Sequence, residues 1–454
     1  MTPATTHVPE LRQEISPLYL WSLAVGLVIS GEYFGWNYGW GAAGTIGFLY
    51  ATLIVTVLYL CFIFSFTELT TAIPHAGGPF AYACRAFGPA GGLIAGYATL
   101  VEFLFAPPAI AAALGGYVNF MFPAVPVLVI GVAGFAVFCA LNVIGVKQAM
   151  RFELCVTLLA VAELLVFMAV VAPGFSLQNF LADPAPKGIA GIFAAIPFAI
   201  WFFLAIEGVA MAAEEVKDPQ RTIPRGYISG IVTLVALALG VMVFAGGAGD
   251  WRQLAAVDYP LPEAMAQVVG KQSGWITMLV SIGLFGLLAS FHGIILSCSR
   301  QVFALARAGY LPGWLAAVQP RFGTPHRALT AGAAVGVIAL ASGRTNELIT
   351  LSALGAIVMY IAAMASLFRL RSREPDLTRP YAVPLYPLLP GIALALSVFC
   401  LCVLVYYNPL IAAIFVAGLL LAAFYYHATR AQRERAAPDE MLELREAAHT
   451  TQPR

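Results

Sequence analysis

The sequence has few charged residues. Asp, Glu, Lys and Arg together make up 10% of the 454 residues, whereas a soluble domain carries about 25%. Apolar residues make up 61%, and the mean hydropathy is +0.85. This balance predicts an all-α polytopic membrane protein that is embedded in a lipid bilayer. The formal net charge of +1 argues against nucleic acid as a partner.

Sequence patterns of several other function classes are missing. There is no GxxxxGK[ST] loop to cradle phosphates, which argues against an ATP-driven protein. No nucleophile–His–acid set and no metal-ligand cluster occurs at membrane depth, so we expect no enzyme, no metal and no cofactor. The first residues lack a basic lead, a short apolar run and a cleavage site, so no cleaved signal peptide is expected.

Apolar stretches long enough to cross a hydrocarbon core of about 30 Å recur along the chain. The twelve predicted spans lie at 18–44, 46–72, 90–121, 124–146, 152–172, 188–213, 226–248, 274–306, 328–343, 346–369, 386–406 and 409–427. Polar tails at 1–16 and 428–454 flank these spans, and 250–272 is the one sizeable outer loop. An even number of spans predicts that both termini lie on the same side.

Lys and Arg residues predict which side that is. If the termini are cytoplasmic, all but four of the 24 Lys and Arg residues fall in cytoplasmic segments. The four exceptions are Lys187, Arg252, Lys271 and Arg344. Because positive charge favours the cytoplasmic side, the bias predicts an inner (plasma) membrane protein with both termini in the cytoplasm.

Four carboxylic acids and one histidine are predicted to lie inside the membrane. They are Glu32, Glu102, Glu163, Glu207 and His292, in spans one, three, five, six and eight. No Lys or Arg lies at comparable depth. Buried acids without basic partners must hold a proton or neutralise a bound cation, so the chain predicts a path for a cationic amine, a proton or both.

Some of these residues also have a purely structural interpretation. Glu102 precedes Pro107 and Pro108, which free backbone carbonyls that a protonated acid could contact. Glu163 could bond between helices, and His292 could be a hydrogen-bonded interior histidine. Trp201 is a core or lipid-facing residue by default, although its position six residues before Glu207 also suits an aromatic wall for an ammonium group.

The first span contains its own acid beside small residues. Ser30 and Gly31 precede Glu32, and Gly26 and Gly35 flank the segment. Glycines lower helix propensity and let backbone approach a ligand closely. A charge at mid-membrane costs roughly 2.5–3.5 kcal/mol on insertion scales, so it should face a partner, water or a ligand. The segment therefore predicts a broken helix with a cation site at the break.

Five stretches in chain order resemble landmarks of the amino acid–polyamine–organocation (APC) transporter family. They occupy 68–88, 142–147, 214–226, 299–312 and 374–387, and they include Glu68, Pro74 and Gly77-Gly78, Glu214-Glu215, Ser299-Arg300 and Arg379-Pro380. On these matches the chain is identified as a member of that family.

The resemblance implies a fold of twelve helices. Segments 17–172 and 188–370 would form a 5+5 inverted repeat, with two C-terminal helices at 386–427. Helices 1 and 6 would be discontinuous, and the substrate would sit between their breaks. Mapped onto this chain, the substrate-binding residues are Ile29, Ser30, Gly31, Glu32, Trp201, Phe203, Ala205 and Glu207. Trp201 would be a gate, Glu207 a proton-sensitive switch and Tyr360 an outer-gate residue.

Departures from the family pattern bear on the substrate. Amino acid transporters of this family usually carry Gly-[Ser/Ala]-Gly in the first break, whose amides bind a carboxylate, and here Ser30-Gly31-Glu32 stands there. An acid would repel a carboxylate, which favours an amine without a carboxyl group. Segments 30–40 and 101–108 resemble the ethanolamine permease branch.

Proton coupling is a separate question. Proton-coupled relatives often carry a lysine in span five where this chain has Ala160. If protons are coupled, Glu163, His292 or Glu102 would have to carry them, and uniport or exchange remains open.

The sequence thus predicts a secondary transporter that imports a small amine, ethanolamine being favoured, by alternating access. The ammonium group would be bound between the breaks of helices 1 and 6. The alternative within transport is a permease for cationic or neutral amino acids, with Glu32 in a structural role. Outside transport, the alternative is a nutrient-sensing receptor, which the lack of a signalling domain disfavours.

Overall fold

The computed structural model describes residues 15–75, 77–144, 146–282 and 284–430. Helices make up most of this part of the chain, and one isolated parallel β-bridge joins Ile15 to Val216. The predicted tails at 1–16 and 428–454 lie outside the described residues, except for 15–16 and 428–430.

The α-helices are numbered in chain order. The first ten are α1 Pro17–Val28, α2 Ser30–Tyr33, α3 Tyr38–Ala72, α4 Pro79–Phe87, α5 Pro89–Met121, α6 Val127–Ile144, α7 Val146–Val171, α8 Leu177–Phe180, α9 Gly188–Ala194 and α10 Ile196–Trp201. The others are α11 Pro219–Ala248, α12 Trp251–Leu254, α13 Pro260–Val269, α14 Gly274–Ile282, α15 Leu284–Arg307, α16 His326–Leu340, α17 Thr345–Arg373, α18 Leu388–Tyr407 and α19 Pro409–Ala428. Short 3₁₀ helices occupy Ala172–Gly174, Ile206–Glu215 and Gly313–Ala316.

Nine helical segments in the described chain are long and apolar enough to cross a membrane. They are α3, α5, α6, α7, α11, α14 with α15, α17, α18 and α19. The predicted ninth span corresponds to the shorter apolar helix α16, and the predicted first and sixth spans are interrupted. The protein is therefore a multi-pass helical membrane protein, and the count of twelve crossings stays a prediction.

The first predicted span is broken in the middle. Helix α1 ends at Val28, α2 covers one turn, and α3 begins only at Tyr38. Within α3 the chain kinks at Gly44, whose φ of +70° is a conformation that favours glycine. The kink falls at the predicted boundary between spans one and two. We refer to residues 29–37 as the first break.

The sixth predicted span is broken as well. Helix α9 is followed by α10, which ends at Trp201. Residues 202–205 form turns, and the chain continues as the 3₁₀ helix Ile206–Glu215. Ala205 is left-handed, with φ +78°, which costs an L-residue roughly 1–2 kcal/mol. A glycine at this position would avoid the strain. We refer to residues 202–205 as the second break.

Helix α7 starts earlier than the sequence predicts. The fifth span was expected at 152–172, whereas α7 begins at Val146. Charged residues such as Arg151 lower the hydropathy of its first turns, although they do not prevent helix formation. Glu153 consequently lies inside the helix and is buried, with 2% of its side chain exposed.

Two long helices, α5 and α17, pack closely against each other. Helix α17 runs against α5 where Gly355 faces the backbone of span three. A Cβ on Gly355 would lie 2.6 Å from the carbonyl oxygen of Ala98 and 2.8 Å from the amide nitrogen of Glu102. The helix contact therefore requires a glycine, and it fixes Glu102 beside the second half of the chain.

Candidate functional site

The two breaks touch each other directly. A Cβ added to Gly31 would lie 2.5 Å from the carbonyl oxygen of Trp201 and 3.2 Å from Cα of Phe202. Only a glycine allows this approach, because the neighbouring atoms belong to backbone. The structure thus brings together the two segments that the sequence predicts to be interrupted.

Backbone amides of the first break are partly occupied by protein acceptors. Ser30 N donates to Ser290 Oγ at 2.9 Å, and the Ser290 hydroxyl donates to the carbonyl of Gly26 at 2.6 Å. Glu32 N donates to the carbonyl of Ile29 at 3.1 Å. These two amides are therefore not directed at an open position where a carboxylate could bind.

Glu32 is fully buried, and its carboxyl group has no hydrogen-bond partner among the described residues. Its backbone carbonyl accepts a 3.0 Å bond from the indole N–H of Trp36, so the main chain is held while the side chain is not. Buried polar atoms are normally paired, and an isolated buried carboxylate is strongly unfavourable. The group therefore requires a proton or a cationic ligand.

Aromatic rings enclose the contact between the breaks. Phe34 and Trp201 meet edge to face, with ring centroids 5.4 Å apart. Trp36 stacks on Phe202 at 5.7 Å, and the Trp201 indole nitrogen is buried without a partner in the described chain. Phe203 packs against Tyr59 at 5.1 Å. Aromatic faces of this kind attract ammonium groups.

Glu207 belongs to a second polar cluster. Its Oε2 accepts a 3.0 Å hydrogen bond from the Tyr360 hydroxyl, which lies 2.8 Å from the hydroxyl of Tyr59. Glu207 Oε1 has no hydrogen-bond partner in the described chain. The structure therefore places Tyr360 against Glu207, and its role as an outer-gate residue stays a prediction.

Glu102 lies beside Glu207. The two carboxyl groups are close enough to interact electrostatically and both are fully buried, although neither oxygen of Glu102 has a hydrogen-bond partner among the described residues. The backbone carbonyl of Glu102 accepts a 2.8 Å bond from the Ser352 hydroxyl. Two neighbouring buried carboxylates repel each other, so the pair is favoured when at least one of them holds a proton or a cation binds nearby.

The other two candidate coupling residues lie elsewhere. Glu163 Oε2 accepts a 2.7 Å bond from the Tyr33 hydroxyl, whereas Nδ1 of His292 lies 3.4 Å from Oε2 of Glu153. Sequence reasoning missed Glu153 because its predicted span began only one residue earlier. Its spacing of ten residues from Glu163 gave no clear signal, because ten residues are about 2.8 helical turns and leave the two side chains about 80° apart around the helix.

Side chains of the first break also hold the predicted outer loop. Asn37 Nδ2 donates to the carbonyls of Leu254 and Val257 at 2.7 and 2.8 Å, and the Tyr38 hydroxyl donates to Asp258. Burial raises the pKa of Asp258, an effect that the bond from Tyr38 partly offsets. We call Asn37, Tyr38 and Asp258 the outer latch, which the sequence analysis did not anticipate.

Ion pairs join the predicted cytoplasmic ends of the helices. Glu68, only 1% exposed, accepts hydrogen bonds of 2.6 and 2.7 Å from Arg371 and lies 3.2 Å from Arg379. At the end of the sixth span, Glu215 pairs with Arg300 of α15 at 2.7 Å. We call the Glu215–Arg300 pair the inner latch. All of these residues except Arg371 come from the stretches that carry the family resemblance.

No metal site is evident in the part of the chain that the structure describes. No group of three or more His, Cys, Asp or Glu side chains is placed there to hold an ion. Two interrupted membrane helices that meet at buried acids instead define a membrane transporter, in which half-helix ends and aromatic rings surround a small ligand.

The chain belongs to the amino acid permease (APC) family. The family model described as amino acid permease matches residues 15–424. An uncharacterised transporter of Rhizobium meliloti (strain 1021) is 31% identical over 86% of this chain and 87% of its own. The branched-chain amino acid permease BcaP of Bacillus subtilis (strain 168) is 25% identical over 87% of this chain and 89% of its own.

A further relative is an exchanger. The serine/threonine exchanger SteT of Bacillus subtilis (strain 168) is 26% identical over 86% of this chain and 91% of its own. The family and these relatives are transporters and not enzymes. The protein is accordingly a membrane transporter for amino acids or related amines, which confirms the family prediction.

Proposed function

We propose that the protein imports a small organic amine, with ethanolamine as the favoured substrate. The ammonium group binds between the two breaks, opposite the carboxylate of Glu32 and against the ring of Trp201. The observation that carries this proposal is the fully buried Glu32 carboxyl group without a partner in the described chain. A bound ammonium supplies the opposite charge that this environment lacks.

The amides of the first break support an amine rather than an amino acid. Ser30 N and Glu32 N are bonded to Ser290 Oγ and to the carbonyl of Ile29, so they do not offer a free cradle to a carboxylate. Glu32 would in addition repel such a group. An amine with a hydroxyl, such as ethanolamine, avoids both problems.

A permease for neutral or cationic amino acids is the second candidate. It is favoured by the names of the relatives, which include branched-chain amino acid permeases and a serine/threonine exchanger. In that case Glu32 would hold a proton and pack as a neutral side chain. The distinction lies in whether the carboxyl group of Glu32 contacts the substrate.

We propose twelve crossings, a 5+5 inverted repeat, an inner-membrane location and cytoplasmic termini for this transporter. Contacts between loops support the assignment of sides. Segments predicted to be cytoplasmic pair with one another, as Arg85 does with Glu374. Segments predicted to be external pair likewise, as Arg252 does with Asp183. The binding site then opens first to one side and then to the other, as the outer latch and the inner latch open in turn.

Counterflow in proteoliposomes tests the substrate. Vesicles loaded with unlabelled ethanolamine should take up labelled ethanolamine, and protein-free vesicles should not. Glu32→Gln should weaken apparent affinity by roughly 10–100-fold, because a charge-assisted contact of about 1.5–3 kcal/mol is lost. Glu263→Gln makes the same change beside Lys271 in the outer loop and serves as the matched control.

Two results would contradict the proposal. Counterflow of leucine or serine for which ethanolamine does not compete would favour the amino acid alternative. Ethanolamine counterflow with unchanged affinity in Glu32→Gln would assign Glu32 a structural role.

A further inference from the structure

A buried acid and a buried histidine form a pair outside the two clusters already described. Glu153 belongs to α7 and His292 to α15, and both helices pack against α1. The side chains are 2% and 5% exposed, and His292 Nδ1 lies 3.4 Å from Glu153 Oε2. The pair therefore occupies the meeting point of the first, fifth and eighth spans.

The first span packs directly against this pair at Gly26, which has no side chain. Oε1 of Glu153 lies so near Gly26 that it would overlap a Cβ at that position, and Thr157 Oγ1 would lie 2.7 Å from the same Cβ. The Thr157 hydroxyl itself donates to the carbonyl of Ser22 at 3.2 Å. Contact with α1 thus shields the carboxyl group from water and depends on where α1 stands.

Among the side chains that the structure describes, which leave out those of 145–149, no second charged group interacts with the pair. His292 is the one titratable group that interacts with Glu153 there. On the α6 side the neighbour is the ring of Phe138, and on α7 it is that of Phe152, each 5.9 Å from the imidazole. Next to Glu153 Oε1, helices α1 and α15 present Gly26 and Gly293, and neither has a side chain that could carry a charge.

Charge balance then depends on a single proton. With one proton on the pair, either the imidazolium faces the carboxylate or a neutral imidazole faces the carboxylic acid, and the net charge is zero. Without it, the net charge is −1 and Oε1 of Glu153 has no hydrogen-bond partner in the described chain. An uncompensated buried charge is unfavourable, so the closed arrangement of α1 retains the proton.

We propose that Glu153 and His292 form a proton-binding site that couples transport to the proton gradient. The site takes up a proton from the outer side, keeps it while α1 covers Gly26 and Glu153, and releases it to cytoplasmic water when α1 moves away. The carried proton is neither consumed nor transferred to the substrate. This inference rests on the proposed transport function.

Accumulation driven by a pH gradient tests the coupling. Proteoliposomes with the voltage clamped near zero by potassium and valinomycin receive labelled ethanolamine at acidic external pH. One proton per substrate supports about tenfold accumulation per pH unit, whereas passive leak of the neutral amine runs towards the acidic outside. Counterflow at equal pH on both sides is measured in parallel, because it requires transport but no gradient.

Variants assign the effect to the pair. Glu153→Gln and His292→Gln should keep counterflow and lose gradient-driven accumulation. Glu163→Gln is the matched control, since it changes another buried acid of α7 that is bonded to Tyr33, and it should keep the response to the gradient. Accumulation that persists in Glu153→Gln, or that is lost only in Glu163→Gln, overturns the proposal.

An infrared titration tests the site without any substrate. The wild-type protein should show a carboxyl, carboxylate or imidazole band that changes with pH and is lost in Glu153→Gln. If wild-type counterflow fails but this band is found, the proposed substrate is wrong and the proton site stands. If no titrating band depends on Glu153, the proton site is wrong whatever is transported.

Discussion

At the scale of single residues, Gly31 of the first break packs directly against the backbone of the second half of the chain. Its missing side chain lets α2 rest on the carbonyl of Trp201, with only 2.5 Å available for a Cβ. Since the obstructing atoms are backbone, a larger residue can be accommodated only by separating the two breaks. The distance between Glu32 and the second break thus depends on this position.

Gly31→Ala should therefore impair transport. Overpacking typically costs about 1–3 kcal/mol, and we expect a loss of counterflow of at least tenfold together with a lower unfolding temperature in detergent. Gly41→Ala is the control, because a Cβ there would lie 3.7 Å from the nearest atom, in ordinary contact. Wild-type counterflow in Gly31→Ala would show that the two breaks need not touch during transport.

The sequence predicts which ionisable residues lie inside the membrane, but it does not predict which of them lie next to one another. Hydropathy identified Glu102, Glu163, Glu207 and His292 as buried, and all four are buried in the structure. That Glu102 meets Glu207 follows only from the packing of α5 against the second half of the chain. Glu153 was missed because hydropathy locates the hydrocarbon core and not the start of a helix.

At the scale of elements, the first break was predicted because glycine and charge interrupt an apolar pattern locally, whereas the second was predicted from the family resemblance. The interruption after Trp201 and the left-handed Ala205 agree with the predicted second break. The outer latch shows the opposite case. Asn37 and Leu254 are separated by more than two hundred residues, so their contact has no local signal.

The Glu68 cluster should stabilise the packing of α3 against α17. Glu68 is buried, binds Arg371 and Arg379, and accepts a 2.8 Å bond from the amide of Val383. Removing one partner of such a buried pair costs roughly 3–5 kcal/mol, because the other charges remain unpaired. Glu68→Gln should therefore lower the unfolding midpoint measured by differential scanning fluorimetry in detergent.

Asp218→Asn is the control for Glu68→Gln. It removes an exposed pair in which Asp218 lies 4.0 Å from Arg221, and exposed pairs contribute about 0–1 kcal/mol. Equal midpoints for the two variants would mean that the Glu68 cluster does not hold the helices together.

At the scale of the whole molecule, the structure has both latches formed at once. Asp258 accepts from Tyr38 on the predicted outer side, and Glu215 pairs with Arg300 on the predicted inner side. The candidate site between them is buried on all sides. The described arrangement is therefore closed on both sides, and under the proposed alternating access each latch would open in turn.

Breaking one latch should open one side. Arg300→Gln should raise hydrogen–deuterium exchange at 206–216, and Asp258→Ala, which removes the acceptor of the Tyr38 hydroxyl, should raise it at 251–258, each without the other. Burial raises the pKa of Asp258, so the closed outer latch favours the protonated acid and weakens as pH rises through that pKa. Exchange at 251–258 should accordingly increase with pH, after correction for intrinsic exchange rates, and lose that dependence in Asp258→Ala. Identical exchange patterns in the inner-latch variant Arg300→Gln and the outer-latch variant Asp258→Ala would contradict separate latches.

The sequence by itself determined that the protein crosses the membrane many times, belongs to its transporter family and carries acids at depth. These properties follow from composition, from local interruptions of apolar helices and from short stretches that need no partner to be recognised. Only the tertiary structure decided that Gly31 meets Trp201, that Glu102 meets Glu207 and that Glu153 meets His292. Such contacts depend on how distant helices pack, because burial is a property of the chain segment whereas pairing is a property of the fold.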